Sequence, residues 1–201
     1  MRAGLFVLFP KQRKADRCKP FGGQTVNPSW EAVDRLPDTI GEWALHKLRI
    51  PVEYEAAPRR VLEKAREIGA DAVISVGQAG GRNAVTPEVI GINLREAAIA
   101  DNAGQLCKGE PVEAQGPDGI FSTLPVREMV AAITAKGIPT KLSYSAGAYV
   151  CNDVLYTVLR HFEGTPVRAG FIHVPFIPGQ GEPNMPLGDI VTALNAMIEV
   201  L

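Results

Sequence analysis

Apolar positions along the chain recur with two periods, and the segments that carry them alternate. Leu45–Tyr54 predicts an extended segment with Pro51 inside it. In Ala57–Ile68, Val61, Leu62, Ala65 and Ile68 repeat at the spacing of a helix with one buried face, and Gly69 closes it. Asp71–Gly77 is a short β-branched run bounded by glycine, the pattern of a buried strand. A glycine-rich irregular stretch follows, then a short strand at Val89–Leu94 and a polar, loop-like region from Asp101 to Ser122. Leu124–Lys136 predicts a helix stopped by Gly137-Ile-Pro, and Thr140–Ser145 a strand. Val150–Phe162 has Val154, Leu155, Val158, Leu159 and Phe162 on one helical face. Ala169–Phe176 predicts the last strand and Leu187–Leu201 the closing helix. This order predicts an α/β fold, an α/β/α sandwich around a mainly parallel, mixed and twisted sheet. No internal repeat or long linker interrupts it, so residues 1–201 read as a single domain, with 1–19 an atypical N-terminal segment.

Composition narrows the function. A chain of 201 residues, 46% hydrophobic and 21% charged, can bury its own core. The formal net charge of −1 offers no field to attract nucleic acid or an anionic membrane surface. No apolar run approaches the ~18 residues of a membrane span, and Gly4–Phe9 is too short for a signal peptide, so the cytoplasm is the expected address. Cys18, Cys107 and Cys151 are dispersed and odd in number, without a CxxC pair. That argues against a disulfide scaffold or a zinc site and leaves a single reactive thiol open.

Cys151 has the sharpest setting of the three. A strand, the small-residue turn Ala146-Gly147-Ala148 and a helix starting near Val150 place it in the first helical turn. Unpaired backbone N–H groups and the positive end of the helix dipole favour thiolate there. The competing reading is a small buried apolar residue. A nucleophilic Cys requires a base and a group that orients the base. His161 lies ten residues along the same helix, about 15 Å away at 1.5 Å per residue, and is out of reach. His46, in Trp43-Ala-Leu-His-Lys-Leu, fits an outward strand position. His173 sits in the apolar strand Phe171-Ile-His-Val-Pro-Phe176, the next strand after the Cys151 helix, and is either the base or a satisfied core histidine. Gly77-Gln-Ala-Gly-Gly-Arg82 matches neither phosphate-loop pattern; its glycines permit close approach of a ligand or a neighbouring segment. Glu88 precedes an apolar run, where most glutamates are solvated.

Several stretches occur in one order: Pro20-Phe-Gly-Gly-Gln-Thr-Val-Asn-Pro-Ser-Trp-Glu31, Gly77–Asn93, Asp101-Asn-Ala-Gly104, Phe121-Ser-Thr-Leu-Pro125, Ser145–Asn152 and Phe171–Pro178. Together they resemble the pyroglutamyl peptidase I family of cysteine peptidases, over most of the chain. The resemblance implies a cysteine omega-peptidase that removes N-terminal pyroglutamate through an acyl-enzyme. It makes Cys151 the nucleophile, His173 the general base and acid, and Glu88 the group that orients the imidazole. It places Phe21, Gln78, Ile99, Tyr149 and Val150 at the substrate pocket. No metal or cofactor is required, and self-association as a dimer or tetramer is expected.

Three positions depart from the family pattern. Lys11–Lys19 forms a basic run before Pro20, with Cys18 where an aromatic pocket wall is expected and Lys19 where an acid is. Ala98 stands where many members carry arginine. Two alternatives therefore stay beside the peptidase reading: a catalytically impaired relative that binds blocked N-termini, and a nucleoside-phosphorylase-like enzyme.

Overall fold

The computed structural model describes the backbone of residues 2–8 and the whole of residues 26–201. In chain order the elements are β1 (Arg2–Leu8), α1 (Pro28–Asp34), β2 (Thr39–Ile40), β3 (Trp43–Arg49), α2 (Ala56–Ile68), β4 (Ala72–Gln78), β5 (Thr86–Pro87) and β6 (Ile90–Ile92). They continue with β7 (Arg95–Glu96), β8 (Lys108–Glu110), β9 (Gly119–Phe121), α3 (Val126–Ala135), α4 (Val150–His161), β10 (Arg168–Val174) and α5 (Leu187–Ile198). The main sheet has the order β2-β3-β1-β4-β10-β5. Its four central strands are parallel, while β2 and β5 run antiparallel at the two edges. Two short ribbons, β6 with β9 and β7 with β8, stand apart from it.

Strand alternation separates two cores. Ala72, Ile74 and Val76 of β4 and Ile172 and Val174 of β10 face the layer of α1, α3 and α5. Val73 of β4 and Ala169 and Phe171 of β10 face α2 and α4. Successive strand side chains point to opposite faces, so β4 and β10 are apolar on both sides. The same period assigns Gly77 and His173, at matching positions in the β4–β10 register, to the α4 face.

Helix α2 ends as its sequence predicts: Gly69 takes φ 61° and its N–H closes on the carbonyls of Ala65 and Arg66. A side chain there would be strained. Other boundaries differ from expectation. The extended segment expected at Leu45–Tyr54 is the strand Trp43–Arg49, so Pro51 lies in the loop beyond it. Thr140–Ser145 is no strand; it touches the sheet through single bridges, Val85 with Thr140 and Glu88 with Ser143. None of its residues is buried, and Lys141, Tyr144 and Ser145 are exposed, so it offers no buried face, and a strand without one is held only by its neighbours. Within the polar 101–122 region, β8 and β9 form short ribbon strands. Helix α1, unforeseen from periodicity, starts with Pro28 and an Asn27 cap, whose Oδ1 accepts from Ser29 N at 2.9 Å. No helix among the described residues is long and apolar enough to cross a membrane.

Candidate active site

Helix α4 opens at Tyr149, which supplies no side-chain cap. The Tyr149 carbonyl accepts from the N–H groups of Asn152 (3.0 Å) and Asp153 (3.1 Å). The N–H groups of Val150 and Cys151 precede these first donors, so no carbonyl of the helix accepts from them, and they lie at its positive end. Two polar side chains lock this turn. Asn152 donates to the carbonyls of Ile92 (2.8 Å) and Leu94 (3.0 Å) and accepts from Ile92 N at 2.9 Å. Asp153, fully buried, accepts from Arg95 Nε at 2.7 Å and from Glu55 N at 3.1 Å. With both groups satisfied, their burial fixes where Cys151 points.

Cys151 Sγ lies against the sheet at Gly77. A Cβ at Gly77 would stand 3.3 Å from that sulfur and 2.8 Å from the Phe171 ring. The close approach depends on glycine. Gly77 pairs across the sheet with His173, whose ring stacks at 4.7 Å on Phe171. The geometry therefore gathers Cys151, Phe171 and His173 on the α4 face, at the C-terminal ends of β4 and β10.

His173 Nδ1 donates to Glu88 Oε1 at 2.7 Å, with both side chains buried. This bond holds the tautomer that leaves Nε2 as the free acceptor. Glu88 is reached through β5, which runs antiparallel to β10, and its N–H donates to Phe171 O at 2.9 Å. Burial works to raise the Glu88 carboxyl, but the hydrogen bond and charge of His173, the Ser143 hydroxyl and the charge of Arg82 hold it below its ordinary range. Burial also lowers His173, outweighing the attraction of Glu88. The same effect works against the expectation of a favoured thiolate at Cys151. Its thiol is pushed up to about 12, by burial first and by the negative charge of Glu88 second; Arg82 and the backbone oppose the rise. Burial thus favours the thiol and the neutral imidazole in the resting site, and the helix N-terminus, worth about 0.3–1 kcal/mol, acts against it at the partly buried Cys151.

The remaining residues singled out in the sequence distribute as follows. Tyr149 Oη donates to Ala100 O at 3.1 Å, which ties the segment carrying the exposed Ile99 to the head of α4. Val150 buries its side chain completely, so only its backbone faces the site. Gln78 ends β4 directly after Gly77. Phe21, Cys18 and Lys19 lie outside the described residues. Cys107 is buried, and burial pushes its thiol up. His46 is exposed on β3, and His161 is exposed at the last position of α4. Sequence reasoning missed Arg82, Asn152 and Asp153: Arg82 meets Thr86 and Glu88 nearby in the chain but Ser145 far along it, the partners of Asn152 and Asp153 are long-range, and no spacing pattern signals them. No cluster of three or more metal-ligating side chains exists among the described residues.

A family model described as pyroglutamyl peptidase matches residues 17–201. Pyrrolidone-carboxylate peptidase 1 of Caldanaerobacter subterraneus subsp. tengcongensis is 40% identical over 189 residues, covering 90% of this chain and 93% of the relative. The pyrrolidone-carboxylate peptidase of Lactobacillus helveticus is 42% identical over 186 residues, covering 90% and 93%. Among solved structures, Bacillus amyloliquefaciens pyroglutamyl peptidase I superposes with a TM-score of 0.90 at 35% identity, covering all of this chain and 96% of that one. The pyrrolidone carboxyl peptidase from Thermococcus litoralis gives 0.89 at 31% identity, covering 100% and 93%.

Proposed function

Because this chain belongs to the pyroglutamyl peptidase family of cysteine-type peptidases, we propose that Cys151, His173 and Glu88 carry its chemistry as nucleophile, general base and acid, and orienting carboxylate. The activity is removal of pyroglutamate from the N-termini of peptides. The observation that carries the assignment of residues is the buried Glu88–His173 bond of 2.7 Å, beside a cysteine sulfur seated on Gly77.

Proton flow follows from the resting protonation states. As Cys151 Sγ attacks the carbonyl that joins pyroglutamate to the next residue, its proton passes to Nε2 of His173. Glu88 stabilises the imidazolium that forms. The N–H groups of Val150 and Cys151 receive the developing oxyanion. When the tetrahedral intermediate collapses, the C–N bond breaks, His173 gives its proton to the departing amine, and the thioester remains. Water then attacks with His173 as base, which releases pyroglutamate and restores the thiol.

Pyroglutamate is a compact uncharged lactam. The family resemblance assigns Phe21, Gln78, Ile99, Tyr149 and Val150 to its pocket, and apolar contact with a few backbone hydrogen bonds suits the lactam. A free N-terminal ammonium would be desolvated without a partner and rejected. A thiol nucleophile works in a reducing compartment, which supports the cytoplasm as address. Self-association as a dimer or tetramer belongs to the same reading, and sedimentation measures it.

The deciding experiment is chromophore release from a pyroglutamyl anilide by the intact chain and by Cys151→Ala. The variant is expected to lose turnover and keep its unfolding transition; retained turnover removes Cys151 as nucleophile. Full-rate release by the intact chain also dismisses the impaired-relative alternative. The nucleoside-phosphorylase alternative lapses with the family assignment.

A further inference from the structure

Arg82 leaves the glycine-rich loop after β4 and reaches three partners. Its Nη1 donates to Glu88 Oε1 at 2.7 Å and to Thr86 Oγ1 at 2.5 Å, and its Nη2 donates to Ser145 O at 3.0 Å. Glu88 Oε1 is thus shared between Arg82 and His173. The Glu88 side chain is fully buried, whereas that of Arg82 is 24% exposed and opens to solvent.

We infer that Arg82 is a positioning residue for the peptidase reaction: one guanidinium keeps the orienting carboxylate of Glu88 ionised and fixes the loop that delivers Cys151. The inference rests on the triad proposed above. A buried carboxylate facing only a neutral imidazole tends to take up a proton, and a protonated Glu88 stabilises no imidazolium. Arginine is permanently charged, and its planar fork presents two N–H groups in a fixed geometry. Ser145 stands at the head of the turn that ends in Cys151. The same fork therefore sets the distance between Glu88 and the nucleophile's loop. A lysine carries its three N–H groups on one nitrogen and lacks the planar fork that spans Glu88 and Ser145 in this geometry.

The ionisable groups that act on one another here come from four places: His173 from β10, Arg82 from the loop after β4, Glu88 just after β5, and Cys151 from α4. The charge of Arg82 lowers both His173 and Cys151. Its removal moves both limbs of the pH–rate profile toward higher pH.

The test compares Arg82→Gln, Arg82→Lys and Cys151→Ala with the intact chain on a pyroglutamyl anilide, across pH and with added guanidinium ion at millimolar concentration. Arg82→Gln is expected to lower kcat about 10- to 100-fold, the range found for partners behind a reacting group. KM should stay within about twofold, both pH limbs should rise, and guanidinium should restore part of the rate through the solvent-open site. Arg82→Lys should keep the pH limbs near their normal place while kcat stays depressed, and it carries the test if Arg82→Gln does not fold. Unchanged kcat and pH limbs in the Arg82 variants, with Cys151→Ala inactive, overturn the inference. So does a loss of rate without pH shift or guanidinium response, which marks a purely structural role. Turnover by Cys151→Ala would instead bring down the triad on which the inference rests.

Discussion

The two helical layers bury very different material against one sheet. Beneath α1, α3 and α5 the core is almost wholly apolar, with Met129, Ile133, Ile190, Leu194 and Met197 fully buried. Its buried polar side chain, Ser29, is satisfied locally by Asn27 Oδ1 at 2.6 Å. On the α2 and α4 side, Asn152, Asp153, Glu88 and His173 are buried as well, and their partners lie far away in sequence. Apolar packing is non-directional and tolerant of small displacements. A hydrogen-bonded polar network has one satisfied arrangement, and losing a partner leaves a desolvated group behind. The first layer therefore supplies stability and the second supplies position.

Substitutions in the two layers should separate these contributions. The largest effect is expected on rate: Glu88→Gln keeps the shape and removes the charge, and kcat should fall on the order of 10³-fold with KM little changed, since an orienting group acts mainly in the transition state. Steady-state kinetics on the anilide measures it, and an unchanged kcat would take Glu88 out of the chemistry. Next comes stability: Met129→Ala on the opposite layer should lose about 2–5 kcal/mol in denaturant unfolding, with kcat per folded molecule preserved. A fall in kcat of the folded variant would join the two layers into one unit.

The smallest effect is the pH dependence of stability. His173 is lower in the folded chain than its ordinary 6.5, so the unfolded chain binds the extra proton, and this contribution is full above that value and declines as pH falls through it. Glu88 is also depressed in the folded chain, so its contribution is lost in the same direction, at lower pH. Unfolding measured from neutral pH downward should weaken first near pH 6.5 in the intact chain, and later in His173→Gln. Identical curves would show that His173 contributes nothing.

Much of this was legible in the chain. The helices α2, α3, α4 and α5 and the strands β4 and β10 follow from periodicity, because their apolar faces pack on a neighbouring layer whatever its details. The 140–145 stretch was misread because β propensity cannot tell a strand from a loop that borrows single bridges. The resemblance of ordered motifs named Cys151, His173 and Glu88 together, and the fold brings them to one face.

Sequence alone determined the succession of elements and put Cys151 in the first turn of a helix, since both depend on near neighbours along the chain. Tertiary structure decided how that thiol behaves. Packing against Gly77 leaves Cys151 partly buried, and Glu88 adds a negative charge; both work against the thiolate that the helix terminus favours. It also decided that Arg82 holds the carboxylate on which His173 depends. Desolvation and charge pairing are set by atoms that folding brings within a few ångströms, and residues 82, 88, 151 and 173 become neighbours only there.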